Sequence, residues 1–190
     1  NLGAADLAER RYAYDTAADL YEQALTCLDR VPGAADGATV ERRVDVLGRL
    51  LRARIGTGQV GLAREARERA VTVAEAAGRD DLVLAAFTAW TAPSPWEIHT
   101  YAEVDRPVVA RLERLLERTH DPATRCRLLG SFVAELTGEN DPRAMRAAEE
   151  ALRLARASGD PALLALAIVT MLQELNFEHD ADQRAGLARE

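Results

Sequence analysis

Lysine is absent from this chain. All 24 basic residues are arginine, set against 31 acidic ones, for a net charge of −7. That balance argues against a general nucleic-acid surface, because phosphate binding needs a basic face. Aromatic residues make up only 5% of the sequence, and cysteine occurs twice. Cys27 and Cys126 lie far apart, each inside a predicted helix, so they outline no disulfide framework and suit a reduced cytoplasm. No signal peptide is visible. The longest apolar run, Ala162 to Leu172 broken only by Thr170, falls well short of the ~20 residues that span a bilayer. Strand-like alternation is also missing, and β-branched residues are sparse.

What the chain has in quantity is Ala, Leu, Arg and Glu, the strongest helix formers. Apolar residues supply 48% and charged ones 29%, a balance that points to helix before any periodicity is considered. At 190 residues the chain is long enough to bury a sizeable core, as one domain or one run of repeats. It starts at Asn1 without a Met and ends at Glu190 in a predicted helix, which leads us to expect a piece of a larger protein.

Repetition shows in the punctuation. Asp80-Asp81-Leu82, Asp121-Pro122-Ala123 and Asp160-Pro161-Ala162 open three segments alike, and Asp141-Pro142 carries the same signal. An Asp N-cap accepts hydrogen bonds from the free amides of the first turn, and Pro suits the first helical position. The starts recur at about 40 residues, in the range of helix-pair repeats. Gly56, Gly78, Gly138 and Gly159 follow apolar periodic stretches, as C-cap glycines do. The predicted helices run over 2–12, 14–30, 38–55, 60–77, 80–90, 103–118, 121–137, 141–157 and 160–176, with a further start at 181. Val40, Val44, Leu47, Leu51 and Ile55 form one apolar stripe; Met145, Ala148, Leu152 and Ala155 form another.

Small residues then say how the helices pair. Ala17 and Ala24 flank Tyr21; Ala63 and Ala70 repeat the spacing, as do Ala144, Ala148 and Ala151. A small side chain lets two helix backbones approach while a large one fills the gap beside it. The segment Tyr14 to Leu25 resembles the second helix of a tetratricopeptide repeat, and Leu47-Gly48 and Leu129-Gly130 match the Leu-Gly of its first helix. The resemblance implies an all-α fold: a right-handed superhelix of antiparallel helix pairs, a TPR-like α-solenoid of about nine to ten helices. The whole of 1–190 is expected to be one such domain, with pairs at 2–30, 38–77, 80–118, 121–157 and 160–190. Each repeat is longer than the family's ~34 residues, and the third pair lacks the small-residue signature.

In that third pair the pattern stops. Thr91 to Thr100 contains Pro93 and Pro95, which end the helix and impose an extended path. Phe87, Trp90, Trp96, His99 and Tyr101 crowd into this stretch of an otherwise aromatic-poor chain. They are the candidate binding residues for a ligand or partner, since Trp and Tyr offer large area with a polar tip. The same residues can equally plug a gap between repeats.

Other sequence features lead away from catalysis. Gly56-Thr57-Gly58-Gln59-Val60-Gly61 has dinucleotide-site spacing, but an Arg-rich helix precedes it where a strand is required, so it reads as a turn. His99, His120 and His179 stand at no metal-ligand spacing, and neither cysteine lies in a redox or nucleophile motif. Glu65 with Arg69, and Glu149 with Arg153, read as i,i+4 pairs on solvated faces. No catalytic residues, metal or cofactor are expected.

A further resemblance rests on Trp96 to Asp105, with Tyr101, Val104 and Asp105 in order, leading into Val109 to Leu116. It continues through Ala148 to Arg156 and Gly159 to Leu164. These stretches resemble the helical regions of large bacterial transcriptional activators of the SARP type and the related ATP-binding LuxR type. The resemblance implies a cytoplasmic interaction and signal-sensing region. Its partner would be another protein or other domains of the same chain, with no direct nucleic-acid or membrane contact. DNA binding and nucleotide hydrolysis would lie elsewhere in the parent protein. The alternatives are a small-molecule effector taken up by the aromatic loop, or an unrelated adaptor that binds peptide tails.

Overall fold

The computed structural model describes residues 2–30, 36–91, 104–136, 141–175 and 178–190. Among these the chain is all-α, with ten helices and no strand: α1 (Leu2–Arg10), α2 (Tyr14–Asp29), α3 (Gly37–Gly56), α4 (Val60–Ala76), α5 (Asp80–Thr88), α6 (Arg106–Arg118), α7 (Pro122–Leu136), α8 (Pro142–Ser158), α9 (Pro161–Glu174) and α10 (Ala181–Leu187). Two compact units divide the chain, 1–92 and 93–190. In the first, α1 packs on α2, α2 on α3, α3 on α4, and α5 on both α3 and α4. In the second, α6 packs on α7, α7 on α8, and α9 on both α7 and α8, with α10 against α9. Links as short as Thr57–Gln59 turn consecutive helices back on one another, so packed neighbours run antiparallel. The expected third pair, 80–118, has one helix in each unit.

The helix starts are chemical. Asp36 accepts from the Thr39 amide at 2.7 Å, Asp105 from Val108 at 3.1 Å, Asp121 from Thr124 at 2.8 Å, Asp141 from Arg143 at 2.8 Å and Asp160 from Ala162 at 2.9 Å. Pro122, Pro142 and Pro161 fill the first helical position after their caps. Asp80 departs from the expected pattern. It is the first residue inside α5, and Arg79 before it makes no side-chain cap. The preceding turn explains this: Gly78 is left-handed, and the Arg79 amide donates back to the Ala74 carbonyl, which leaves no room for an Asp cap.

The same closure recurs along the first unit. The Gly58 and Gln59 amides donate to the Ile55 and Arg54 carbonyls, as Gly78 and Arg79 do to Glu75 and Ala74. Gly56, expected to close α3, is instead its last residue, and Gly58 at φ +73° takes the turn. At the end of α1 the left-handed position is held by Tyr12, at φ +59°, with Ala13 donating to Ala8 and Tyr12 to Glu9. Gly159, also left-handed, closes α8, and Gly138 lies outside the described residues.

The cores are built on one register. Ala63, Ala66, Arg67, Ala70, Val71 and Ala74 are buried in α4; Ala144, Ala147, Ala148, Ala151, Leu152 and Ala155 are buried at the corresponding places in α8. In α2 the matching Ala17, Tyr21, Ala24 and Leu25 are buried too. The small-residue spacing read from the sequence is thus the packing face of α2, α4 and α8. Gly48 and Gly130 serve the first helices alike: a Cβ there would lie 3.2 Å from the Cβ of Ala89 and 3.4 Å from Oγ1 of Thr170, in each case toward the next-but-one helix. No helix among the described residues is long and apolar enough to cross a membrane.

Candidate functional site

Of the five aromatic-cluster candidates, the described residues include two. Phe87 is 0% exposed in α5, with the Arg67 guanidinium 5.4 Å from its ring centre. Its ring is core, and it offers no surface to a ligand in this packing. Trp90, just beyond α5, is half-buried. Trp96, His99 and Tyr101 lie outside the described residues.

Arg67 itself carried no flag in the sequence. It is 5% exposed and occupies the slot in α4 that Tyr21 fills in α2 and Ala148 in α8. A charge this deep needs partners, and the face of Phe87 supplies one through its π-cloud. Glu68, 3.4 Å from Nε, supplies another. Tyr21 meets charge differently. Its hydroxyl donates to Glu9 at 2.7 Å, with Asp6 at 3.0 Å, while Arg49 donates to Asp6 at 2.7 Å. Burial and then the Glu9 carboxylate push the phenol pKa well up, so the hydroxyl stays protonated. Burial raises Asp6, but the Arg49 and Tyr21 hydrogen bonds outweigh it and hold the carboxyl below its usual range. The cluster ties α1, α2 and α3 together.

An open groove of about 560 Å³ lies within the first unit. Leu25 and Asp29 of α2, Arg43 and Leu47 of α3, and Glu65, Glu68, Arg69, Thr72 and Val73 of α4 line it. The α4 set is one helical face at steps of three and four, and the α2 and α3 pairs are each i,i+4. The cations are committed. Arg69 does not pair back along its helix with Glu65 as the sequence suggested; it reaches across to Glu22 of α2 at 2.9 Å. Arg43, 19% exposed, binds Asp29 at 2.8 Å, and its Nε is closed off from solvent with no acceptor among the described residues. Glu65 is exposed and makes no ion pair among the described residues. Glu149 and Arg153 likewise do not pair with each other: Glu150 beside them takes Arg125 at 2.7 Å.

No group of three or more His, Cys, Asp or Glu among the described residues could hold a metal ion. Cys126 is buried, with its Sγ–H donating to the Ala151 carbonyl at 3.3 Å, and burial pushes its thiol up to about 11. The glycine sequence 56–61 forms the α3–α4 link and the first turn of α4, with helix on both sides. No protein-family model matches the chain, and no curated protein or solved structure matches it either.

Proposed function

We propose that the chain is an interaction and signal-sensing helical repeat domain of a bacterial cytoplasmic transcriptional regulator, its helix pairs wound as a right-handed TPR-like superhelix. The observation that carries the reading is the shared register of α2, α4 and α8, in which small residues recur at the packing positions of three second helices. Stacking of this kind leaves extended side-chain faces open to partners, as the α2–α3–α4 groove does in the first unit. The likeness of 96–105, 109–116 and 148–164 to SARP-type and LuxR-type regulators supplies the regulatory context. In that setting the domain would bias an inactive-to-active equilibrium by binding one state better than the other. Excising residues 1–190 from the parent regulator and recording its transcriptional response is the test. A changed threshold or lost induction supports the reading, and an unaltered response with an unaltered partner set rejects it.

A further inference from the structure

We propose that two copies of this chain exchange α1: the turn at Arg11, Tyr12 and Ala13 straightens, α1 runs on into α2, and each copy's α1 docks on α2 and α3 of the other.

The seat of α1 recognises an acidic pair. Of the residues of α1, only Ala5 and Ala8 are buried. Asp6 and Glu9, one turn apart, meet Arg49 and Arg52, one turn apart on α3, at 2.7 and 3.8 Å. Between them the Tyr21 hydroxyl of α2 reaches both carboxylates. These contacts are specific in charge and spacing but involve little apolar area. A second copy's α1 reproduces all of them, and the resident α1 leaves at small hydrophobic cost.

The turn supplies the bias. Tyr12 holds a left-handed φ of +59°, and Ala13 opens α2 with no side-chain cap. The α3–α4 and α4–α5 turns put Gly58 and Gly78 at that left-handed position. Arg11, Tyr12 and Ala13 include neither glycine nor proline, so all three accept helical backbone without strain. Straightening keeps the hydrogen bonds of the link. The Tyr12 amide moves from the Glu9 carbonyl to that of Ala8, and the Ala13 amide moves from Ala8 to Glu9. The first-turn amides of α2 then gain the carbonyls of Arg10, Arg11 and Tyr12. A short turn under strain is the setting in which a segment exchanges between identical chains.

The open form is one helix from Leu2 to Asp29, about 42 Å long. Two such helices lie antiparallel across a two-fold axis near Tyr12, so each α1 meets the other copy's α2 in the sense it has within one copy. Gly56 abuts Tyr14, which puts the α3–α4 turn at the same end of the unit as the α1–α2 turn. Tyr12 and Leu62, large apolar side chains exposed at that end, lie where the two copies come closest.

The test refolds the full chain from urea over micromolar to millimolar concentrations and reads its mass by light scattering after gel filtration. The unaltered chain should form a dimer whose share rises with concentration. Tyr12→Gly suits the closed turn and disfavours the open helix, so it should raise the dimer Kd about tenfold or more. Tyr12→Ala keeps the strained turn and favours the helix, so the dimer should persist. Equal loss in both would make Tyr12 a plain surface contact and overturn the exchange. A second arm uses Asp6→Arg with Glu9→Arg as one variant and Arg49→Glu with Arg52→Glu as the other. Alone, each sets like charges in the seat, within one copy or between two. Refolded together, each variant's α1 matches the other's α3. Native mass spectrometry should then find a dimer of one copy of each, about tenfold or more tighter than the dimer of either variant alone. A mixture no more dimeric than its folded components would overturn the proposal, as would an unaltered chain that stays monomeric throughout. Should the charge variants fail to fold, the unaltered chain and the two Tyr12 variants decide by the same outcomes.

Discussion

The ring of Tyr14 fills the space that a side chain at residue 56 would need. A Cβ on Gly56 would lie 2.5 Å from Cδ2 and 2.6 Å from Cγ of Tyr14, so the end of α3 and the start of α2 meet only because position 56 has no side chain. The offending atoms include the ring's point of attachment, so the whole ring must turn about its Cα–Cβ bond, or the helices must part, to make room. Gly56→Ala should therefore destabilise the protein by about 1–3 kcal/mol, despite alanine's better helix propensity. Tyr14→Ala should remove most of that penalty in the double variant, a coupling that urea titration of the four proteins measures directly. Gly48→Ala and Gly130→Ala, with nearest atoms at 3.2 and 3.4 Å, should cost progressively less.

Tyr12 poses the opposite case. It takes the left-handed position that Gly58 and Gly78 take at the ends of α3 and α4, yet its side chain is 79% exposed and touches Tyr14 only edge to face, at 6.0 Å between ring centres. Relief of the strained backbone, ~1–2 kcal/mol, outweighs the added freedom of a glycine in the unfolded chain, ~0.4–1 kcal/mol. Tyr12→Gly should thus raise the thermal midpoint slightly, and Gly78→Ala should lower it. A fall on Tyr12→Gly would show that the Tyr12–Tyr14 contact is worth more than the strain.

Helix number, order and most of the starts were legible because they rest on local chemistry. Asp-Pro starts and glycine stops act within one turn, so Asp141-Pro142 or Asp160-Pro161 fixes a boundary wherever the chain goes next. The α2, α4 and α8 faces were legible for the same reason, since alanine spacing shows the packing side directly. Arg67 was harder. Its place between Ala63 and Ala70 matches Tyr21 between Ala17 and Ala24, but that a guanidinium would be buried there depends on Phe87 arriving from α5, a non-local event. The groove was hidden for a related reason. Glu65, Glu68, Arg69 and Thr72 look like any solvated face until α2 and α3 are placed beside them, and Arg69 chose Glu22, distant in sequence, over Glu65 one turn away. Local pairing rules rank only local partners.

Several carboxyls in helix caps and first turns make the fold acid-sensitive over a defined range. The Arg143 side chain and backbone amide hold Asp141 down at about 2. The Thr39 amide lowers Asp36, the Thr124 hydroxyl and amide lower Asp121, and Arg79 lowers Asp81. In the unfolded chain these carboxyls titrate near ~3.9. Below that value the unfolded state binds more protons than the folded one, so the stabilisation, whole above about pH 4, drains away as pH falls toward 2. Urea midpoints should be level down to about pH 4 and then drop steeply. Asp141→Asn, which keeps an acceptor but no charge, should flatten that drop; parallel curves would mean the cap's ionisation contributes nothing.

Thiol chemistry distinguishes the two cysteines. Cys126 is buried against the α8 backbone with its pKa raised to about 11, while Cys27 is exposed on α2. Since the thiolate is the reactive species, the native protein should present one fast-reacting thiol to Ellman's reagent at mildly alkaline pH, and two once unfolded. Prompt modification of both in the native state would contradict the α7–α8 packing.

Phe87 and Arg67 decide whether the start of the aromatic stretch is scaffold or site. With Phe87 wholly buried beneath a guanidinium that is itself 5% exposed, truncating the ring leaves a cavity that α3, α4 and α5 cannot easily close. Phe87→Ala should cost about 3–5 kcal/mol, visible as a large shift in the urea midpoint. Arg67 should behave otherwise. Replacing it with methionine keeps its length against Phe87 and removes the cost of burying a charge, and Glu68, one partner left behind, is 40% exposed and can be solvated. Arg67→Met should therefore change stability by about 1 kcal/mol or less, whereas Arg67→Ala should lose more through the void beside the ring. If Phe87→Ala leaves the unfolding curve where it was, the ring is not a core element, and its assignment to the packing of α4 and α5 fails.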